Sequence, residues 1–508
     1  MRKNFFIILL IILSLAGVSL LLIATSPWGI NLEEDSVAYL IMARLFENPH
    51  LNKDMLGMFL CHFPPLFPWV LSRWHVIGVD PLQGARLMNS ALFGLNILLF
   101  GILTKKYTRS AWLGLSAALL MLSAPDVVDI HLKAMSEPLF IFFMLIWLLL
   151  FMEYLKNPRW PVLILSSMIA ASAVMTRFAG VPMVATGLFG ILFLNQGKGI
   201  INRCIHAAVF VFTPCLCLLL YTRLSYIEDS PLQRHFAFHP VDLVFFRDLA
   251  AKFCGWFLAP QMPVSSNEKA LLFGIGIACC LSRLFFRKRA NFSKLSILGA
   301  AFIGLYILCF VLAASFYDAG LLLSERLKCL ERYLMPVHIL FLMMICKGLS
   351  DLLYKNPSSL KRDIGKIIVT YFFLFYMAGS ARCLAHQYYF GDEYTTDPCR
   401  ASYSIWKVKS TPMGRPIYSN KLPVIYILGG KTSSMIPVVK NPFSWVKNDK
   451  YLSQLSQMHR DIQINKGLLV YFNEAWMNEY VEPIKALQER IPLRLIAQDK
   501  YASIFDVP

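Results

Sequence analysis

Three consecutive acids, Glu33, Glu34 and Asp35, stand directly after the first long apolar run of the 508-residue chain. A carboxylate placed there can take a proton from an attacking hydroxyl or amine. Further along, Ser136-Glu137-Pro138, Thr176-Arg177-Phe178 and Glu331-Arg332-Tyr333 put two acids and two arginines at the ends of later apolar runs. Arginine grips phosphate oxygens through a planar fork of donors. Tyr333 offers one more hydroxyl beside it. Cations are what a departing lipid phosphate needs as charge builds on it. Both groups must stand at a membrane surface, because the lipid tail keeps the phosphate there.

Each of these residues also has an ordinary structural reading. Asp35 can N-cap a helix whose positive end favours the neighbouring acids. Ser-Glu-Pro is a common helix opening. Arg177 can snorkel to the interface, and Tyr333 suits an aromatic belt. The lone histidines His62 and His131 read as structural partners rather than ligands. Read as a helix from Ser36, the first stretch sets Val37, Leu40, Ile41 and Leu45 on one face and Asp35, Tyr39 and Phe46 near another. Such a helix is expected to lie in the interfacial plane with its apolar side toward the bilayer.

The elements that would position these residues are mostly membrane spans. With 57% hydrophobic and 16% charged residues, a chain of this size cannot hide its apolar surface from water, so it reads as a polytopic membrane protein. The net charge of +18 is no nucleic-acid signal, because Lys and Arg concentrate in short loops between apolar runs. Eleven spans are expected, at about residues 5–25, 84–104, 111–125, 137–155, 160–176, 179–195, 204–224, 269–287, 295–316, 333–347 and 366–382. Starting inside, the even-numbered spans end in basic loops: Lys105 to Arg109, Lys156 to Arg159, Lys198 with Arg203, Arg287 to Arg289, and Lys347 through Lys366. That parity places the N-terminus in the cytoplasm. It places loops 26–83, 126–136, 225–268 and 318–332, and all residues after about 383, outside.

Residues 1–382 then form a transmembrane domain whose first outer loop, 26–83, carries amphipathic helices, and residues 383–508 a small extracytoplasmic α/β domain. In the latter, Tyr418–Asn420, Val424–Leu428 and Gly467–Phe472 read as strands, Leu452–Met458 and Glu482–Arg490 as helices, and 493–498 with 501–505 as a closing pair. Gly429-Gly430-Lys431-Thr432 looks like the end of a phosphate-binding loop, but the first glycine of that motif would fall at Ile425, so it reads as a turn. Most cysteines lie in or beside apolar runs as small hydrophobes, and no metal-ligand spacing occurs. Cys383 and Cys399 flank the last loop and could pair in an oxidising compartment.

Asp35-Ser36-x-x-Tyr39, Pro64-Pro65-Leu66-Phe67-Pro68, Ala85-Arg86-Leu87-Met88-Asn89, Ser136-Glu137-Pro138-Leu139-Phe140, Thr176-Arg177-Phe178-Ala179-Gly180 and Glu331-Arg332-Tyr333 follow one another in that order. The series resembles the GT-C superfamily of polyprenyl-phosphate-sugar-dependent glycosyltransferases over about residues 5–350. Relatives there include protein O-mannosyltransferases, aminoarabinose transferases acting on lipid A, and bacterial Rgt-type enzymes. Tyr418-Ser419-Asn420 with Tyr426-Ile427-Leu428 is similar to the outer domain of bacterial members. The resemblance implies an inverting transfer with an acid of the first outer loop as general base: Asp35 matches best, and its neighbour Glu34 is a rival. On the reading of the residues themselves, Arg177, Arg332 and Tyr333 would hold the donor phosphate and Tyr39 and Glu137 would shape the site. In parts of the superfamily a second outer-loop acid, matched here by Glu137, helps bind a divalent metal. A divalent cation on Asp35 and Glu137 is left open.

The expectation is therefore a bacterial inner-membrane enzyme. It would move a sugar from undecaprenyl phosphate to a lipid, glycan or protein acceptor on the periplasmic side. Two rivals stand beside it. A transporter or flippase of a lipid-linked glycan would hold phosphate without breaking a bond. It should carry polar groups at mid-bilayer depth and often shows inverted repeats, and neither is visible in the sequence. A membrane-anchored binding protein would leave recognition to the tail and make the first-loop acids dispensable.

Overall fold

The computed structural model describes residues 3–47, 63–195, 199–225, 238, 240–256, 265–269, 271, 294–316, 331–354, 359–391, 402–412, 414–431, 433–440, 447–473 and 475–508. Almost all of the expected eighth span and its basic loop 287–289, together with Lys198, His62, Glu325, Arg326, Lys328 and Cys399, lie outside the described residues, as does the side chain of Glu34.

Helix α1 (Lys3–Ala24) precedes α2 (Glu34–Glu47), the short α3 (Leu66–Ser72) and the long α4 (Pro81–Thr108). Asp80 caps α4 by accepting from the Leu82 N–H at 2.9 Å, and Pro81, which has no N–H to leave unpaired, starts it. Packing of α4 on α1 is close. Ser14 donates to the Gly94 carbonyl at 2.7 Å, and a Cβ at Gly94 would stand 2.8 Å from the Ser14 carbonyl oxygen. Small residues at such a crossing let two helices approach backbone to backbone where no hydrophobic effect drives them together. Arg86 of α4 closes the C-terminal end of α1 with bonds to the Leu22 carbonyl and Thr25 hydroxyl, both at 2.8 Å.

The expected third span, 111–125, is helical to Leu122, and a second helix follows where a loop was expected. α5 (Ala111–Leu122) and α6 (Pro125–His131) are bent by 59° at the break before Pro125, which lacks an N–H and whose ring clashes with a continuing helix. What the sequence read as the loop 126–136 is thus largely a helical turn. Next come α7 (Glu137–Lys156), α8 (Trp160–Thr176), α9 (Val181–Phe189) with a π turn at Gly190–Leu194, and α10 (Ile200–Ser225). α11 (Leu243–Gly255), α12 (Lys294–Phe316), α13 (Glu331–Tyr354) and α14 (Ser359–Tyr389) complete the bundle. Helices cover ten of the eleven expected segments. Among the described residues, however, five are long and apolar enough to cross a membrane, or six with the bent pair; three further apolar helices are shorter. The last helix runs beyond residue 382 to Tyr389.

After Gly391 the chain builds a five-stranded sheet in the order β2-β1-β3-β5-β4. Its strands are β1 (Ile417–Ser419), β2 (Ser434–Met435), β3 (Leu468–Phe472), β4 (Arg494–Gln498) and β5 (Ala502–Asp506). β1 is parallel to β2 and β3, while β5 runs antiparallel to β3 and β4. Side chains alternate across it: Leu469, Tyr471 and Phe505 face one core with α17 (Tyr451–Ile464) and α18 (Ile484–Arg490), while Leu468, Val470 and Ile504 face another with α15 (Tyr403–Ser410) and α16 (Leu422–Gly429).

α16 overturns an expectation, since Val424–Leu428 read as a strand. A short run of β-branched and apolar residues fits a buried strand and a buried helix equally. Here Pro423 in its first turn and Gly430 in the left-handed region at its end (φ 65°) settle the helix.

α2 overturns another. It does not rest an apolar face on a bilayer. Tyr39, Leu40 and Ala43 enter the core of the bundle, while Val37, Ile41 and Leu45 form a second buried cluster with Tyr426 of α16 packed against it.

Candidate active site

Two backbone segments set the site. Asn31 pairs with Lys133 in a parallel bridge, the Asn31 N–H donating to the Leu132 carbonyl and the Ala134 N–H to the Asn31 carbonyl, each at 2.9 Å. α4 fixes the same segment from the other side. Asn89 donates to the Lys133 carbonyl at 2.6 Å and Asn96 to the Pro138 carbonyl at 3.0 Å. Buried amides bonded in this way hold an irregular stretch rigid. His131 belongs to this scaffold: it is 2% exposed and bonded to Asn96 and the Val127 carbonyl.

α2 then starts beside Lys133. Glu33 precedes its first turn, and the Ser36 hydroxyl accepts from the Glu33 N–H at 3.0 Å, the backward half of a capping box. The cap position therefore falls to Glu33, and Asp35 lies one residue inside the helix with its carboxylate free for other work.

That carboxylate meets Arg332 at 2.8 Å. Glu33 reaches the same guanidinium at 3.2 Å and, with its other oxygen, the Lys133 amine at 2.8 Å; Lys133 also bonds Asp129 at 2.8 Å, one turn back along α6. Arg332 further donates to the Tyr333 hydroxyl at 3.2 Å, and its Nε is buried with no partner among the described residues. Burial alone would lower the affinity of Lys133 for its proton, but Asp129 and Glu33 outweigh it and hold the amine above its usual range. Lys133 stays a cation.

A second pair adjoins the first. Arg177, which follows α8, lies 2.8 Å from Glu137 at the start of α7 and donates to Ser136 at 2.9 Å. Ser136 in turn contacts the Tyr39 hydroxyl at 3.1 Å. Burial pushes the Tyr39 phenol well above its ordinary range, with Arg177 pulling in the opposite direction. Phe63 and Phe67 meet its ring edge-on at 5.1 Å each. The Arg177 and Arg332 charges lie close enough to act on one another.

The structure thus brings Asp35, Tyr39, Glu137, Arg177, Arg332 and Tyr333 into one cluster of ion pairs and hydroxyls, and α2 places Glu34 at its edge by backbone alone. Sequence reasoning gave no role to Glu33, Lys133, Asp129 and Ser136. Lys133 left a signal: the one Lys or Arg of the expected outer loop 126–136, four residues after Asp129. As a metal site the set does not fit. Asp35 and Glu137 are each taken by an arginine, and no group of three or more His, Cys, Asp or Glu among the described residues could hold an ion. Chemically, the cluster offers carboxylates beside partly buried guanidiniums, a place for a proton next to a place for a phosphate.

Residues 62–225 match the family model described as dolichyl-phosphate-mannose-protein mannosyltransferase. No curated protein sequence matches significantly. Among solved structures, the chain is similar to ArnT from Cupriavidus metallidurans in the apo state, with a TM-score of 0.61 at 12% identity over 97% of each chain. It is also similar to an oligosaccharyltransferase from Archaeoglobus fulgidus complexed with zinc and sulfate, with a TM-score of 0.52 at 13% identity, covering 91% of this chain and 68% of that one. The same archaeal enzyme tethered to an acceptor peptide matches with a TM-score of 0.51 at 11% identity, over 93% and 69%. The likeness read from the sequence is borne out: a mannosyltransferase family model matches residues 62–225, and the fold is shared with ArnT over 97% of the chain.

Proposed function

We propose that the chain is an inverting glycosyltransferase of the bacterial inner membrane, moving a sugar from undecaprenyl phosphate to a lipid, glycan or protein acceptor on the periplasmic side. The observation that carries this reading is the contact of Asp35 with Arg332 at 2.8 Å, with Arg177 and Glu137 alongside. Asp35 accepts the proton of the acceptor hydroxyl or amine as that atom bonds to the sugar C1. The bond from C1 to the phosphate oxygen breaks, and its electron pair leaves on the lipid phosphate. Arg332, Arg177 and Tyr333 neutralise the charge that develops there. In the resting chain Asp35 is occupied with Arg332. A phosphate arriving at Arg332 competes for the guanidinium and frees the carboxylate to act as base.

The placement of charge supports the orientation. Lys105 and Lys106 end α4, Lys156 ends α7 and Arg159 precedes α8, whereas Asp80, Glu137 and Arg177 sit at the opposite ends of these helices. Basic ends stay in the cytoplasm, so the cluster faces the periplasm. The sheet, in contact with α2, stands on that side as the extracytoplasmic part of the chain, 383–508, on the transmembrane part, 1–382.

Reconstituted protein given a polyprenyl-phosphate sugar tests the reading. Asp35→Asn is expected to lower transfer about a thousandfold while donor binding persists. Turnover retained by that variant removes the mechanism. Mass spectrometry of surface lipids and glycoproteins with and without the gene identifies sugar and acceptor together through one mass difference.

A further inference from the structure

We propose that helix α16 of the C-terminal sheet unit clamps α2, and that Tyr426 with Arg44 positions the proposed base; this rests on the glycosyl-transfer reading above. α2 carries Asp35 and Tyr39 near its N-terminal end, where Arg332 and Ser136 hold them. A second face, running from beside Asp35 to the far end, is held differently. Val37, Ile41 and Leu45 recur every fourth residue and form one stripe, 0%, 5% and 7% exposed. Tyr426 of α16 packs against that stripe. Arg44 stands between two units of the chain: its guanidinium lies 4.7 Å from the centre of the Tyr426 ring and 2.7 Å from Asp80 at the start of α4. A guanidinium between an aromatic face and a carboxylate is held in one orientation.

Arg44 lies nine residues from Asp35, about 13 Å along a rigid helix. A small tilt at the clamp therefore moves the carboxylate at the other end relative to Arg332. Displacements near an ångström in a reacting group can cost on the order of a hundredfold in rate. The sheet unit is on this view part of the catalytic apparatus, acting through α2 rather than by touching substrate.

Hydrogen exchange and kinetics on the full-length protein test this together. Tyr426→Ala is expected to raise exchange of residues 34–47, with α17 unchanged, and to lower kcat about tenfold with little change in donor KM. Tyr426→Phe, which keeps the ring, is expected to behave like the parent in both measurements. Should Tyr426→Ala fail to fold, Tyr426→Leu, with an apolar body but no ring for Arg44, is read in the same way. Unaltered protection of residues 34–47 in the variant lacking the ring overturns the clamp. So does a Phe variant as impaired as the Ala one. If protection falls in Tyr426→Ala but the parent transfers no sugar, the clamp stands and the glycosyl-transfer reading falls.

Discussion

Glu33 and Arg332, 299 positions apart in the chain, meet at 3.2 Å, and Glu33 spans from there to Lys133 at 2.8 Å. One carboxylate thus ties the entry of α2 to both the segment that follows α6 and the start of α13. Together with Asp35 it also means that the guanidinium offered to a phosphate is already occupied by two acids.

That competition has a sign. Glu33→Gln removes one of the two charges a phosphate must displace from Arg332, so the variant is expected to bind polyprenyl phosphate severalfold more tightly. Its turnover should fall only modestly, because Asp35 remains. Titration of the lipid phosphate into both proteins, followed by intrinsic fluorescence, reads the affinities. Weaker binding by the variant would mean that Glu33 helps rather than hinders the phosphate.

Arg332→Ala leaves Asp35 partly buried without its cation and Glu33 with Lys133 alone. The expected cost is about 2 kcal/mol, lower than for a fully buried pair because the two carboxylates are 34% and 28% exposed. Donor affinity should fall with stability, whereas Arg332→Lys keeps charge but loses the fork and should recover stability better than binding. Thermal unfolding in detergent beside donor titration separates the two effects.

Arg177→Ala is a harsher change. Glu137 is 3% exposed at its side chain, and a carboxylate orphaned at such depth costs about 3–5 kcal/mol. The double variant Arg177→Ala with Glu137→Gln should regain much of that loss, since no buried charge is then unpaired. Equal melting temperatures for the single and double variants would show that the pair is not coupled.

In the sheet unit, burial works to raise the Asp499 pKa. The Ser402 hydroxyl and the N–H groups of Ser404, Ala502 and Tyr501 outweigh it and hold the carboxyl at about 2, below its ordinary 3.8. A folded pKa below the unfolded one contributes stability that is fully present above about pH 4 and is lost as pH falls toward 2. Asp499→Asn should therefore lower the stability of the sheet unit at neutral pH and flatten its dependence on acid over that window. Hydrogen exchange of β4 and β5 across that range reads both; a pH dependence identical to the parent's would rule out Asp499 as its source.

Much of this was legible in the chain alone. Apolar runs set the helices because the bilayer or a buried core admits little else. Asp35, Tyr39, Glu137, Arg177, Arg332 and Tyr333 stood out because charge and hydroxyl beside apolar spans need a reason. Tertiary structure decided the rest. Only packing could show that Glu33 takes the cap position and bridges two cations, that Lys133 joins the cluster, and that the apolar stripe of α2 faces α16. Helical periodicity is a property of neighbours along the chain, whereas ion-pair partners and the cover over an apolar face come from segments hundreds of positions away, and no local pattern encodes which of them arrive.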